Sequence, residues 1–331
     1  MSVVKMQKIG ICANKRHRKD ILEFLQDTGA MEVTAVKAGE GAFPAKDTTG
    51  QRIEFEKAAD SFEKALELLD SYAPVKEKGL SLFSETRLVT RAEADEVVRR
   101  RQELSAEAKQ ILDAEKEITE CKGAIQKDEN LIVSLVPWAS LDIPMDSTGT
   151  KETEILIGSV PESTDAASLY AKACEGLEGD APVSVDVIST EKAVTNLCVI
   201  CRRTVAEKVE ENLRAGGFAR AASPVHGVPK EVSLEAEADI EKRRARIEEV
   251  SKEIAAHADS RQDFKVAADY YRTRAEKYRV LGTLPQSENT FFLTGWVPAD
   301  KVDGLANVLS ERFDAYVGPE EPPRARCVRP F

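Results

Sequence analysis

The pair with the strongest claim to chemistry is Cys198-Val-Ile-Cys201, a spacing that serves zinc binding and thiol exchange. It falls inside Asn196 to Cys201 (NLCVIC), which reads as a strand. Residues three apart on a strand point to opposite faces and cannot share a metal, so these are expected to be core cysteines. A second candidate is the basic turn Lys15 to Lys19, within Asn14-Lys15-Arg16-His17-Arg18. It sets cations at a helix start, where an anion could sit on free N–H groups; the competing reading is a set of solvated first-turn charges. Asp47-Thr-Thr-Gly50 and Asp146-Ser-Thr-Gly149 have a faint look of an aspartyl-phosphate motif. No phosphate-cradling strand or metal-binding carboxylates accompany them, and they read as turns. There is no Walker A loop. The three histidines, His17, His226 and His257, are dispersed, and His257 falls on an apolar helix seam as a partly buried structural residue. The sequence therefore offers no catalytic, cofactor-binding or metal residues, and the expectation is that the chain is not an enzyme and carries no cofactor.

The 331 residues include 42% hydrophobic, 32% charged and 6% aromatic side chains, a balance that suggests long solvated helices more than a compact enzyme. A net charge of -11 argues against nucleic-acid binding: the basic clusters Lys15 to Lys19, Arg99 to Arg101 and Lys242 to Arg246 are short, and phosphate contacts need a concentrated positive face. No apolar run is long enough to cross a bilayer, and MSVVKMQKIG lacks the pattern of a signal peptide, so the expectation is a soluble cytoplasmic chain. Six cysteines spread over this length fit reduced thiols.

Residues 3 to 12 look like a strand, 17 to 28 like an amphipathic helix, and 33 to 36 like a second strand after Gly29. Helix 52 to 72 follows, with Phe55, Ala58, Ala59, Phe62, Leu66 and Leu69 on one face. Thr90-Arg-Ala-Glu93 is a capping box that opens the longest helix. There Val97, Leu104, Ile111, Ile118, Ile125 and Ile132 recur every seven residues and demand a partner. Residues 231 to 281 supply one: Ile240, Ile247 and Ile254 on one heptad position, Val250, Phe264, Tyr271 and Tyr278 on another. Antiparallel pairing from a common far end sets Ile118 against Ile247 and Val250, Leu104 against Phe264, and Val97 near Tyr271. At 1.5 Å per residue such a hairpin would be a rod of roughly 70 Å.

Between the helices, strands at 154 to 160, 183 to 189 and 196 to 201, a helix at 164 to 177, a second helix capped at Thr204-Val-Ala-Glu207 and ending at Gly216-Gly217, and a short strand near Phe218 make a β-α-β-β-α-β order, a ferredoxin-like lobe. After the hairpin, FFLTGWVP (291 to 298) reads as a strand, with Phe291 and Leu293 facing one side and Phe292 and Thr294 the other. Gly295 suggests close backbone approach, Pro298 opens a helix, and Ala315 to Val317 is a last strand. The first and last β-α-β units would then be halves of a second ferredoxin-like lobe. The expected fold is α+β: two ferredoxin-like lobes at the ends of a long antiparallel two-helix coiled coil, a dumbbell. The expected division is 1–87 and 283–331 for the split proximal lobe, 88–136 and 231–282 for the outgoing and returning helices, and 137–230 for the distal lobe.

In this setting Leu135-Val-Pro-Trp138 through Leu141-Asp-Ile-Pro144, Gly295-Trp-Val-Pro298, and Glu320-Glu-Pro-Pro323 with Arg329-Pro-Phe331 give the whole chain a resemblance to a family. It resembles the soluble N-terminal half of subunit I, the prokaryotic counterpart of eukaryotic subunit a, of rotary V-type and A-type ATPases. Where the family has a Leu- and Asn-containing stretch before Pro-Phe, this chain has Arg324-Ala-Arg-Cys-Val328. The resemblance implies a stator domain on the cytoplasmic membrane face, which joins peripheral stalks to the ion-translocating membrane half and resists rotor torque. The implied partners are E–G heterodimers at the distal and proximal lobes, the central-stalk rotor-cap subunit, and a C-terminal membrane half that would follow Phe331. No nucleic acid is implied, and the isolated domain is expected to be monomeric. The alternative is an ACT-like regulatory protein that binds a small molecule and uses the coiled coil as a spacer.

Overall fold

Strands of alternating apolar and polar residues build two four-stranded antiparallel sheets, and long helices of heptad pattern account for most of the remaining chain. The computed structural model describes residues 4–34, 47–75, 88–161, 163–177, 182–191, 193–221 and 225–319. The fold is α+β and divides into two compact units, Met1–Asp113 with Ile254–Phe331, and Ala114–Glu253.

In the first unit, β1 (Met6–Asn14) is followed by α1 (Arg18–Thr28) and β2 (Glu32–Thr34); the far end of the chain supplies β7 (Thr290–Pro298), α9 (Val302–Phe313) and β8 (Tyr316–Pro319). The strand order is β2-β7-β1-β8. β1 pairs with β7 along its whole length, from Met6 opposite Pro298 to Asn14 opposite Thr290, and with β8 on its other side. Ile9, Ile11 and Ala13 of β1 and Phe291, Leu293 and Val297 of β7 face one core, roofed by Ile21, Leu22 and Leu25 of α1 and Leu305, Leu309 and Phe313 of α9. Phe292 and Trp296 are half-buried on the opposite face, as the alternation of FFLTGWVP requires. Gly295 is needed by proximity: a Cβ there would collide with the carbonyl oxygen of Glu32 on β2. Pro298 ends β7, and a 3-10 turn at Ala299–Lys301 intervenes before α9 starts. The expected second strand at 33 to 36 is described only as Glu32–Thr34. Glu320 to Pro323 and Arg329 to Phe331 lie outside the described residues.

The second unit contains β3 (Thr153–Pro161), α5 (Ala166–Ala173), β4 (Val183–Glu191), β5 (Val194–Arg202), α6 (Arg203–Ala215) and β6 (Ala219–Arg220), with sheet order β4-β5-β3-β6. Both faces of this sheet are covered. Leu156, Val160, Leu197, Val199 and Cys201 pack under α5 and α6, whereas Ile157 and Cys198 meet Leu135, Trp138, Leu141, Met145 and Val225. The Thr204 capping box expected for α6 does not form. The helix starts at Arg203, because the backbone N–H of Arg203 is drawn to the Glu152 carbonyl (2.9 Å) and its guanidinium to the Thr150 carbonyl (3.0 Å). Gly217, at φ 86°, takes the left-handed turn after the helix.

The helices correct the expectation of two unbroken rods. The Thr90 capping box is present, but the outgoing segment divides into α3 (Arg91–Arg99) and α4 (Arg101–Leu135). At the junction the guanidinium of Arg101 takes the Val98 carbonyl at 2.8 Å, in competition with the helical ladder. The returning segment divides into α7 (Pro229–Ala256) and α8 (Arg261–Leu281), with a 3-10 turn at His257–Ser260 between them. The aromatic seam of α8 also has a partner besides the expected one, since α3 and α2 both pack against α8. Phe264 and Tyr271 lie 5.5 and 5.9 Å from the ring of Phe62, and Tyr278 lies 5.2 Å from Phe55; both phenylalanines belong to α2 (Thr49–Tyr72). Buried Ala59 and Ala65 on α2 and Ala267, Ala268 and Ala275 on α8 let these two helices run close together. Of the heptad isoleucines, Ile111 and Ile118 are buried, while Ile125, Ile132 and Ile247 are only half-buried.

Candidate functional site

The basic turn after β1 is a built feature. Asn14 Oδ1 accepts the backbone N–H of Arg16 at 3.0 Å, and the Lys15 N–H donates to the Asn289 carbonyl at 2.8 Å, which fixes the turn against the loop that precedes β7. Arg16 Nε lies 2.9 Å from His17 Nε2, and the His17 ring packs on Phe313. Arg18, the first residue of α1, is buried to 7% exposure and donates from Nη1 to the side-chain oxygen of Gln286. Its Nε has no acceptor, and burial pushes its ionisation below the usual arginine value.

The other sequence candidates resolve as structure. Cys198 and Cys201 lie on opposite faces of β5 in separate cores, and burial, with Asp186 and Asp142 nearby, pushes the Cys198 thiol up to about 11. The five described cysteines are free thiols. Asp47 caps the approach to α2 through the Thr49 N–H at 2.9 Å. Asp146, in a turn, binds His226 Nδ1 at 2.8 Å and accepts the Gly227 N–H at 3.4 Å, whereas the motif at Asp47 is not a free turn but runs into the start of α2 at Thr49. Among the described residues no group of three His, Cys, Asp or Glu side chains could hold a metal ion.

The helix pairs carry the densest electrostatics. In the second unit Arg246 grips Glu117 through Nε (2.6 Å) and Nη2 (3.2 Å), one residue from the expected Ile118–Ile247 pairing. Arg243 pairs with Asp128, and Arg244 with Glu129. In the first unit Glu107 Oε1 meets both His257 Nδ1 (2.7 Å) and Ser260 Oγ (2.5 Å), which holds α4 against the 3-10 turn; Arg100 reaches Asp263 at 3.3 Å. Beside them Arg261 donates to the Leu69 and Ala73 carbonyls at 2.9 and 2.8 Å, capping α2 where it ends.

No protein-family model and no curated protein matches this chain. Among solved structures it is similar to the cytoplasmic N-terminal domain of subunit I, homolog of subunit a, of V-ATPase, with 15% identity, a TM-score of 0.47, and coverage of 94% of this chain and 100% of that one.

Sequence reasoning did not identify Glu107, Arg261 or α2 as parts of the helix assembly. One signal was present: Phe55 and Phe62 are spaced by seven, as are Phe264, Tyr271 and Tyr278.

Proposed function

We propose that this chain is the cytoplasmic stator domain of a rotary V/A-type ATPase, connecting peripheral stalks to an ion-translocating membrane half. The supporting observation is the arrangement of its elements. Two sheets, each with the strand sequence 2-3-1-4 when numbered in its own chain order, fit ferredoxin-like lobes, one closed within the chain and one split. The Leu135, Trp138 and Leu141 side chains, among those by which the sequence resembles subunit I, sit in the core at the foot of the closed lobe, and Gly295 is fixed by contact with β2. No helix among the described residues is long and apolar enough to cross a membrane, which agrees with a domain whose ion pathway lies in another segment. Cross-helix ion pairs in both units suit an element that transmits force. The alternative is an ACT-like regulatory site; the crevice bounded by Val160, Thr164, Leu169 and Lys172, with a volume of about 40 Å³, has room for a few waters and is not itself such a site.

The test is calorimetric titration of the full chain with purified E–G heterodimer and, separately, with amino acids. Saturable E–G binding that loses one site when 140–226 is replaced by a short Gly-rich turn is the expected result. Binding of an amino acid without binding of E–G would overturn the stator reading.

A further inference from the structure

We propose that the foot of the second unit docks an amphipathic helix of a partner protein, one with aliphatic side chains on its buried face and lysines or arginines beside them. The observation that carries this is where the hairpin leaves large apolar side chains in water. Among the described residues of α3, α4, α7 and α8 those side chains are Val133 and Leu234, at 69% and 57% exposure; Val136, in the 3-10 turn Val136–Trp138 that follows α4, is exposed as well. They are not scattered. Val133 lies between Leu131 and Leu135, which share a cluster with Val232 of α7, and Leu234 is the second residue after Val232, so both stand at one level. They also share a side of the hairpin. Val133 is one helical turn from Glu129 and Leu234 two turns from Glu241, and Arg244 holds both glutamates, at 3.3 and 2.9 Å. Single surface aliphatics are ordinary, whereas a cluster of them on an otherwise polar pair of helices marks a contact surface.

The charge around the strip says what covers it. Glu231 and Glu237 lie one turn to either side of Leu234 on its own face, and Glu235 is adjacent; all three are exposed and form no ion pair among the described residues, against one cation, Lys230. A second copy of this chain would bring the same glutamates face to face, which like-charge repulsion opposes. An incoming helix with basic residues along its apolar stripe would pair with them instead. Two antiparallel helices present a shallow groove, and a third helix fills such a groove with side chains at i, i+3, i+4 and i+7. The inference does not depend on the stator reading, because it rests on the chemistry of this face alone.

The probe is a fluorescein-labelled, hydrocarbon-stapled helix with leucines at i, i+3, i+4 and i+7 and lysines on both flanks; its counterpart carries glutamates in place of the lysines. Fluorescence anisotropy with the full chain should show saturable binding of the lysine helix and severalfold weaker binding of the glutamate helix. Val133→Ser with Leu234→Ser, both at exposed positions, should weaken the lysine helix by about tenfold or more, the loss expected when two aliphatic side chains no longer leave water. Glu231→Lys with Glu237→Lys should reverse the preference between the two helices. Amide exchange should place the protection at 130–137 and 230–238. Equal binding by the double serine variant, protection elsewhere, or no saturable binding at roughly millimolar concentration overturns the proposal. So does a concentration-dependent dimer of the full chain that the serine variant abolishes, since the strip would then belong to a second copy.

Discussion

At residue scale, contact with a neighbouring backbone decides what is replaceable. Gly295 shows this best, because the obstacle is the Glu32 carbonyl and not a side chain that can move aside. Gly295→Ala should lower stability by about 1 to 3 kcal/mol, the usual cost of forcing a methyl into filled space, visible as a lower midpoint in urea unfolding. Gly10, across β1 from the same strand, has open space around its Cα, so Gly10→Ala is the matched control and should stay near wild type. Glu210 supplies a pH test. Hydrogen bonding by Arg220, with Arg214 adding to it, holds its carboxyl below the ordinary glutamate value. The stability this contributes is present above the unfolded-state pKa and lost as pH falls through the folded one. Arg220→Gln should therefore destabilise the chain at neutral pH, and the gap between variant and wild type should shrink on acidification below the glutamate range. A gap that stays constant with pH would show that Arg220 acts by packing alone.

Among the elements, the hairpin can be probed inside one unit. Ile118 and Val250 are both buried, and the Glu117–Arg246 clasp sets the register beside them. Ile118→Cys with Val250→Cys, or with Ile247→Cys just under one turn away, should oxidise to an intrachain disulfide. Ile118→Cys with Ile240→Cys should not, since Ile240 lies ten residues from Val250, about 15 Å along the helix. Crosslinked dimers on a denaturing gel would contradict the antiparallel pairing. Periodicity made this register legible because Ile111 and Ile118 depend on little but burial. It could not reveal the break at His257–Ser260, which Glu107 holds from a distant part of the chain, or the one at Arg100, where the Arg101 guanidinium donates to a carbonyl of its own ladder. Nor could spacing show that the aromatic seam of α8 has a second helix beside it. Phe55 and Phe62 fit it as well as Val97 and Leu104 do, and their rings meet those of α8. The basic turn was visible as an anion candidate, but that Arg18 is the buried member depends on Gln286, more than 260 residues away.

For the molecule as a whole, the two units are built from chain in different ways. Ala114–Glu253 is continuous and holds both faces of its own sheet, so a fragment of those residues should give dispersed amide spectra and a cooperative thermal transition. A fragment ending at Asp113 should give neither, because β1 pairs with β7 and β8 and makes no ladder with β2. A disordered 114–253 fragment would refute that independence. The same pairing governs how the protein emerges during synthesis. Ile9 and Ile11 leave the ribosome early, yet their strand partners are made last, so the amino-terminal strand must wait through nearly the whole of translation with its apolar side chains unburied. A ribosome that stalls before residue 290 thus releases a chain with one finished domain and one exposed sticky strand, a product suited to capture by a chaperone that binds short apolar segments.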